Sequence, residues 1–356
     1  MMDRISQTER PAAPEATLMQ PVADPAGWRP EEITAGEDWV YRFSDDELSE
    51  ILKAAASVES SGKALIDVRR ADFLLPKTEA SLADIYDELK HGRGFVQMRG
   101  LPVAEMSRPL AAIVFWGIGT YFGTALSQNA QGNMLGHVKD IGKDYSDPLV
   151  RSYQTKAAMA FHNDACDMVA LLCLNTAKSG GASRIGSSIS VYNEMLKRRP
   201  DLVDDLCHDM FWTLHGEASP GQDPWYKMPV FAVREGTLSV RGASTHARKA
   251  QDLPGAERWS ETRQEAVNLF QQLSQELAAD LPFEQGDLQI LNGHVTVHSR
   301  RPYVDWDDPA KKRHLFRLWL QNDDLRPVAD LVRRNYSGIE VDDFVPNVPM
   351  EAEGAA

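Results

Sequence analysis

The chain is short of cysteine and of positive charge, and each shortage argues against several classes of protein. Its three cysteines, Cys166, Cys173 and Cys207, form neither a CxxC pair nor a zinc-finger pattern, so we expect no disulfide framework and no cysteine-held zinc. Lysine and arginine number 38 against 52 aspartates and glutamates, which gives a net charge of −14. Because phosphate backbones and anionic lipids would repel such a chain, we expect neither a nucleic-acid nor a membrane partner.

Several targeting and catalytic motifs are also missing. Residues 1–37 contain charges and prolines but lack the apolar core of a secretory signal, so we expect a flexible arm and a cytoplasmic location. The sequence has no GxSxG elbow, HExxH helix or Walker loop. Residues 109–126 are uncharged and nearly long enough to cross a membrane, but their three glycines favour a buried helix. The GxGxxxG spacing at 117–123 fits close helix packing better than a dinucleotide loop.

The composition itself is that of an ordinary globular protein, with 43% hydrophobic residues in a chain of 356. Helical periodicity occurs at 44–57, 81–90, 190–199 and 259–277, and β-type runs occur at 95–100, 168–174, 229–233, 237–240, 287–291, 295–298 and 314–320. Without a βαβ rhythm, this pattern predicts a mostly β fold with helical additions, a jelly roll or related barrel preceded by an α/β N-terminal region. We expect one domain over 38–330 with a helical insert at about 190–280, and a C-terminal tail over 331–356. A homo-oligomer is compatible with this organisation.

The most informative cluster is His162-Asn163-Asp164. In an extended segment, side chains two residues apart point to the same side, so His162 and Asp164 can converge on one ion. His298 ends an alternating apolar run, from which a barrel strand would carry it inward. Two imidazoles and one carboxylate form the facial triad of non-haem iron(II) sites. On the tripeptide alone, a surface turn capped by the aspartate is the stronger interpretation, and His215-Gly216-Glu217 is a competing pair.

Two arginines lie four residues apart in the strand-like run at 311–320. Arg313 and Arg317 should face the same side of a strand, and that side is inward if Leu315 and Trp319 point inward. A buried guanidinium needs an acceptor, which makes an anionic ligand a natural partner. The alternative places both arginines on an outer polar face, paired with Asp305, Asp307 or Asp308. The pattern alone does not decide between these two arrangements.

Together these segments resemble the taurine dioxygenase-like family of Fe(II)- and 2-oxoglutarate-dependent oxygenases. The resemblance covers roughly residues 39 to 325 and depends on motifs that follow one another in the right order. They are GRGF at 92–95, RGLP at 99–102, SQN at 127–129, RSYQT at 151–155, HND at 162–164, LLCL at 171–174, SGGAS at 179–183, QGD at 285–287, Asn292 with HSR at 298–300, and RHLFRLWL at 313–320.

The resemblance implies a double-stranded β-helix core of the clavaminate synthase-like type, with iron held by His162, Asp164 and His298. It also implies that Arg313 and Ser183 bind 2-oxoglutarate, and that Arg317 lies beside this cosubstrate or meets an anionic group of the substrate. The implied reaction uses O2 to hydroxylate or oxidatively cleave a small, anionic organic substrate, with release of succinate and CO2. Which arginine anchors 2-oxoglutarate stays open. Further candidates for the substrate cavity are Gln128, Asn129, Tyr153, Trp225 and Tyr226. Cys166 is close enough to Asp164 in sequence to approach the metal. We interpret His294 as a structural or surface histidine, although its distance from His298 in sequence would let it line the same cavity.

Two other functions remain compatible with the same residues. A metal-dependent hydrolase or isomerase on a cupin-like barrel would use the same three ligands with zinc or manganese, but would not need Arg313 and Ser183. A non-catalytic relative would bind a metabolite without consuming oxygen. Iron dependence and oxygen uptake therefore separate the three functions.

Overall fold

The computed structural model describes residues 14–142, 155–156 and 158–352. The α-helices in this part of the chain are α1 (Pro30–Thr34), α2 (Asp45–Ser61), α3 (Glu79–His91), α4 (Arg108–Gly119), α5 (Ser188–Arg198), α6 (Pro200–Leu206), α7 (Thr245–Ala250), α8 (Glu261–Glu276) and α9 (Asp330–Asn335). The strands are β1 (Val40–Arg42), β2 (Phe95–Arg99), β3 (Thr124–Leu126), β4 (Gly136–Lys139), β5 (Met168–Asn175), β6 (Ser179–Gly180), β7 (Ser183–Ser187), β8 (Met210–Thr213), β9 (Trp225–Met228), β10 (Phe231–Arg234), β11 (Thr237–Val240), β12 (Ala278–Leu281), β13 (Leu288–Asn292), β14 (Thr296–Arg300), β15 (Tyr303–Val304) and β16 (His314–Gln321). Short 3-10 helices cover Leu65–Asp67, Arg70–Asp72 and Val103–Glu105. The fold is therefore mixed α/β, with a larger share of helix than the mostly β prediction.

The largest sheet has seven strands in the order β1-β2-β13-β5-β16-β3, with β4 pairing beside β16. Its pairs are antiparallel except for β1 with β2. Side chains of β16 alternate between the two faces, as a period of two requires. Phe316, Leu318 and Leu320 pack into the cluster formed with α2, α3 and α4, whereas Leu315 and Trp319 belong to other clusters on the opposite face.

The helices that cover this sheet have clear local causes. Ser44 caps α2 and forms a capping box with Glu47, and the helix ends at Gly62 with a φ of 66°. The apolar stretch at 109–126 forms α4 and then β3, which confirms the predicted core helix. A Cβ atom at Gly117 would collide with the Phe73 ring, so this glycine permits close packing. Gly117 and Gly119 lie in the last turn of α4 and not in a loop between a strand and a helix, so the dinucleotide alternative is wrong.

A second sheet, β12-β7-β14, lies against the inner face of the first. One apolar cluster joins them, with Phe95, Val169 and Leu291 from the large sheet and Ile185 and Leu281 from the small one. The outer side of the small sheet is covered by the insert that follows β7. This insert was expected to be helical, and it contains the helices α5 to α8 but also the paired strands β8 with β9 and β10 with β11.

The two terminal segments pack more closely than predicted. Residues 14–37 were expected to belong to a flexible arm, yet Ala16 and Val22 are buried and Trp28 Nε1 donates to the Arg93 carbonyl at 2.9 Å. The prolines that suggested an arm do not prevent the apolar side chains of this segment from packing into the core. At the other end, Tyr336 lies in the core beyond α9. Residues 1–13 and 353–356 lie outside the described residues.

Among the described helices, none combines the length and apolar character needed to cross a membrane.

The fold predicts a marked sensitivity at Asp287, which is fully buried between the sheets. Its carboxylate accepts hydrogen bonds from Arg99 Nε and Nη2 and from Gln97 Nε2, each at 2.8 Å. Asp287→Ala leaves the Arg99 charge without its buried partner and should lower the free energy of unfolding by about 3–5 kcal/mol, measured by urea denaturation.

Glu284→Ala is the matched control, because Glu284 pairs with the same arginine at 2.8 Å but is largely exposed. It should cost less than about 1 kcal/mol. Equal losses in the two variants would show that burial of Asp287 does not determine its contribution.

Candidate metal centre

His162, Asp164 and His298 converge, as the sequence predicted. One donor atom from each residue lies within 4.8 Å of the other two. The two histidines form an isolated antiparallel bridge in which each N–H donates to the other residue's carbonyl at 3.0 Å. Their ring centroids are 4.3 Å apart, and His298 Nε2 lies 3.5 Å from Asp164 Oδ2. The main-chain bridge therefore holds the two imidazoles side by side.

Asn163 explains why its two neighbours face the same way. Its buried side-chain amide donates to the carbonyls of Gly293 and Thr296, each at 2.6 Å, and its side-chain oxygen accepts from the Gly242 N–H. Because successive side chains of an extended segment alternate, inward anchoring of Asn163 turns His162 and Asp164 to the opposite side.

The polar contacts of the triad leave its ligand atoms available. His162 Nδ1 donates to the Ala160 carbonyl at 2.9 Å, so Nε2 carries the lone pair. Asp164 Oδ1 accepts from Arg317 Nη1 at 3.1 Å. Asp164 Oδ2 is buried and has no hydrogen-bond partner among the described residues. A buried carboxylate oxygen directed at two imidazoles fits a divalent cation.

The protonation states also suit a cation. Burial lowers the pKa of His162 and lowers that of His298 to about 3, so both imidazoles are neutral at neutral pH. For Asp164, burial acts to raise the pKa, but the Arg317 guanidinium opposes it most strongly, and the pKa lies below its usual value. A metal ion binds to imidazoles in their neutral form and to a carboxyl group in its ionised form, which are the forms present here.

Two cavities meet at this triad. The larger has a volume of about 280 Å³ and contains His162, Asp164, Arg317 and Trp319 in its wall. The smaller is lined by Val138, Met159, His162, Leu171, Ser183, Phe283, His298, Ser299, Arg300, Arg313, Leu315 and Arg317. Among the described residues, three arginines and no carboxylate line the smaller cavity.

Arg313 and Arg317 both face inward, so their assignment to an outer polar face is wrong. Arg313 is 5% exposed, and its Nη1 atom is buried without a hydrogen-bond partner among the described residues. Asp305, one of the proposed outer partners, accepts from the Arg313 main-chain N–H at 2.8 Å rather than from the guanidinium. Burial lowers the Arg313 pKa from its usual value. Ser183 lines the same cavity, with its hydroxyl donating to Gln289 Oε1 at 2.7 Å.

Arg317 has a different environment. Besides Asp164, its guanidinium contacts Gln128, whose Oε1 accepts from Nε at 2.8 Å. Gln128 Nε2 in turn donates to the Arg317 carbonyl at 2.8 Å. Gln128 and Asn129 line a separate small cavity rather than the larger one. Tyr153, the third predicted substrate residue of this group, lies outside the described residues.

Sequence reasoning missed most of the larger cavity. Its remaining walls come from the insert, from the end of α9 and from the segment that follows α9. They include Thr213, His215, Glu217, Tyr226, Arg241, His246, Lys249, Arg334 and Glu340. His215 and Glu217, considered as a competing ligand pair, are cavity residues outside the triad. Tyr226 was a candidate from the sequence and does line this cavity. No local pattern identified the other positions as part of one cavity, because tertiary packing alone brings these segments together.

The neighbouring candidates are structural. His294 is buried, and its Nε2 lies 2.7 Å from Asp167 Oδ1. Cys166 is buried in the cluster between the two sheets, where burial raises its pKa well above the usual value. Trp225 does not line the larger cavity, although Tyr226 does.

Comparison with known proteins agrees with this geometry. The family model described as "Taurine catabolism dioxygenase TauD, TfdA family" matches residues 58–319. The chain belongs to this family. It is 30% identical to the FR-33289 synthase of Streptomyces rubellomurinus over 314 residues, which cover 85% of this chain and 91% of that protein. It is 26% identical to a taurine hydroxylase-like protein of Stachybotrys chartarum over 318 residues, 85% of this chain and 80% of the other.

Solved structures share the fold at lower identity. An asparagine oxygenase in complex with Fe(II), 2S,3S-3-hydroxyasparagine and succinate aligns with a TM-score of 0.63 at 17% identity, covering 80% of this chain and 93% of the other. The non-heme iron oxygenase OrfP in complex with Fe and alpha-ketoglutaric acid aligns with a TM-score of 0.60 at 14% identity, covering 80% and 94%.

The triad predicts a specific loss of metal binding. His298→Ala removes one of three ligands and should weaken Co(II) binding at least about 100-fold, more than the loss of an outer partner costs. Equilibrium titration followed by visible absorption measures this affinity.

His246→Ala is the control, since His246 lines the larger cavity but lies outside the triad. It should bind Co(II) as the unaltered protein does. A weakening of the same size in both variants would contradict the assignment of His298 as a ligand.

Proposed function

We propose that the protein is an Fe(II)- and 2-oxoglutarate-dependent dioxygenase that oxidises a small organic molecule. In this proposal His162, Asp164 and His298 hold the iron on a double-stranded β-helix core. Bound there, iron and 2-oxoglutarate supply the oxidation of a C–H bond by O2, coupled to the release of succinate and CO2. The observation that carries the proposal is the smaller cavity, where three arginines and no described carboxylate adjoin the triad.

The charge of this cavity favours a dianionic cosubstrate. Arg313 has a buried Nη1 that finds no acceptor in the described part of the chain. A buried donor without a partner is costly, and a carboxylate offers the two oxygens that a guanidinium fork matches. Ser183 lies in the same cavity, but its hydroxyl donates a hydrogen bond to Gln289. It must give up that hydrogen bond before it can donate to a carboxylate.

The two arginines have separate roles in this proposal. Arg313 anchors the cosubstrate carboxylate remote from the metal, whereas Arg317 orients the Asp164 carboxylate through its 3.1 Å contact. Gln128 holds Arg317 at two points, its side chain and its carbonyl. The main role of Arg317 is therefore to orient the metal ligand Asp164, although its side chain lines both cavities.

The larger cavity is the proposed substrate site. Its volume of about 280 Å³ suits a small molecule, and it opens directly onto His162 and Asp164. Lys249 and Arg334 in its wall support an anionic group on the substrate. Asparagine oxygenase and OrfP, the structural neighbours, are crystallised with hydroxylated amino acids, which adds amino acids to the substrates worth testing. A cytoplasmic location and a homo-oligomer stay predictions.

A hydrolase or isomerase using the same triad is the alternative, and the arginine-lined cavity favours the oxygenase over it. Such an enzyme needs a water or substrate position at the metal but no buried guanidinium beside it. A non-catalytic relative would keep both cavities and differ only in the absence of turnover.

Arg313 should control the affinity for 2-oxoglutarate. Anaerobic titration of the Fe(II) protein with 2-oxoglutarate should produce a weak visible charge-transfer band, and Arg313→Leu should require at least about tenfold more 2-oxoglutarate to form it, because a charge-assisted bond contributes about 1.5–3 kcal/mol.

Arg184→Leu is the matched control, because Arg184 is buried next to Ser183 in sequence but pairs with Asp280. It should titrate normally. A larger loss in Arg317→Leu than in Arg313→Leu would reverse the two assignments, and no band in the unaltered protein would favour the hydrolase.

Turnover should consume oxygen and 2-oxoglutarate in equal amounts and release one succinate for each. Oxygen-electrode and succinate measurements with amino acids and organic acids as candidate substrates test this stoichiometry. Asp164→Ala should abolish it, because the carboxylate is one of the three ligands. Oxygen consumption that does not depend on 2-oxoglutarate would contradict the proposed reaction.

A further inference from the structure

One buried arginine outside the triad connects the metal centre to the wall of the larger cavity. Arg241 follows β11 and is 4% exposed. We propose that Arg241 is a positioning residue, which fixes the main chain carrying Asp164 and ties it to the substrate-facing Tyr226. This proposal rests on the proposed function for its substrate and its iron, but its structural part concerns any divalent metal held by the triad.

The hydrogen bonds of Arg241 reach both the main chain that carries Asp164 and the wall of the larger cavity. Its Nη1 atom donates to the main-chain carbonyls of Asn163 at 3.0 Å and Asp164 at 3.1 Å. Its Nη2 atom donates to the Tyr226 hydroxyl at 3.2 Å. Both Arg241 and Tyr226 line the larger cavity. One planar group therefore contacts the ligand-bearing main chain and the cavity wall at the same time.

Aromatic rings hold this guanidinium in place. Its Cζ atom lies 5.3 Å from the centre of the Trp212 ring and 5.3 Å from the centre of the Tyr336 ring. Tyr336 stacks in turn on His294 at 4.9 Å, and His294 is bonded to the buried Asp167. Cation–π contacts and this support restrict the guanidinium to one position.

The two restraints on Asp164 complement each other. Arg317 orients the Asp164 carboxylate, whereas Arg241 holds the main-chain carbonyl of the same residue. The residue before it, Asn163, is anchored through its own side chain. A carboxylate ligand held at both ends is preorganised for the metal, so less conformational freedom is lost on binding. Removal of Arg241 leaves two buried carbonyls without their donor and frees the segment to shift.

A lysine cannot replace this arrangement. Its ammonium is a compact charge without the planar fork needed to reach two carbonyls and a hydroxyl while lying between two rings. The contacts of Arg241 also differ from those of a simple ion pair, because no described carboxylate forms a salt bridge with it.

The connection also implies reciprocal coupling. If a molecule in the larger cavity moves Tyr226, the guanidinium transmits that movement to the Asp164 main chain. Linkage then requires that metal binding and occupancy of the cavity affect each other by the same factor.

Co(II) titration of the metal-free protein tests the proposal without requiring turnover. Arg241→Met and Arg241→Lys should weaken Co(II) binding by about 10- to 100-fold and alter its visible spectrum, as loss of an outer partner does. Tyr226→Phe keeps both carbonyl contacts, so its Co(II) affinity should stay within about threefold of the unaltered protein.

Arg326→Met is the matched control. Arg326 is also buried, donates to the Leu238 carbonyl at 2.9 Å and pairs with Asp24 at 2.7 Å, but it contacts no part of the triad. It should lower the thermal unfolding midpoint and leave Co(II) affinity unchanged.

The outcomes separate this proposal from the proposed function. Normal Co(II) affinity and spectrum in Arg241→Lys would overturn it, as would a loss in Arg326→Met or Tyr226→Phe equal to that in Arg241→Lys. If Arg241→Met does not fold, Arg241→Lys and Tyr226→Phe decide. Weakened Co(II) binding in a protein that shows no 2-oxoglutarate band would support the positioning role and reject only the oxygenase.

Discussion

The site depends on the short main-chain bridge between His162 and His298. Two reciprocal hydrogen bonds of 3.0 Å join a loop residue to the middle of β14 and set the distance between their rings. The register of β14 against β7 places His298 opposite Ile185 in the core between the sheets. A slip of one residue would turn the histidine to the other face and dismantle the triad. Fold and metal centre are therefore specified by the same main-chain contacts.

Strand β16 shows how one sequence pattern serves several purposes. Phe316, Leu318 and Leu320 pack against the helical layer, and Phe316 stacks on Phe115 of α4. The intervening residues Arg317 and Trp319 face the triad and the larger cavity. Any change that shortened or shifted β16 would disturb the helical packing and the arginines together. Burial of the apolar face holds β16 in place, and the strand in turn fixes the positions of the two inward-facing guanidinium groups.

The sequence predicted those parts of the molecule in which function follows from local periodicity. Side chains two residues apart placed His162 beside Asp164, and alternation placed Arg313 and Arg317 on one face. It failed where distant segments meet: the larger cavity is formed by Thr213, Arg241 and residues from the end of α9 onward, which share no local pattern. The packing of residues 14–37 was also missed, because the frequent prolines suggested disorder, although Val22 and Trp28 are buried in the core. Tertiary burial decided both cases.

The distribution of charge around Asp164 links the metal to the cosubstrate. Burying a cation without a partner costs free energy, and the described part of the molecule offsets this cost unevenly. Arg317 shares the Asp164 carboxylate, while Arg313 has no carboxylate partner for its guanidinium. A dianion in the smaller cavity would supply that missing charge, and a metal ion beside it would compete with Arg317 for Asp164. Each ligand then changes the electrostatic cost of binding the other, so the affinities for the metal and for the dianion are coupled by the same factor in both directions.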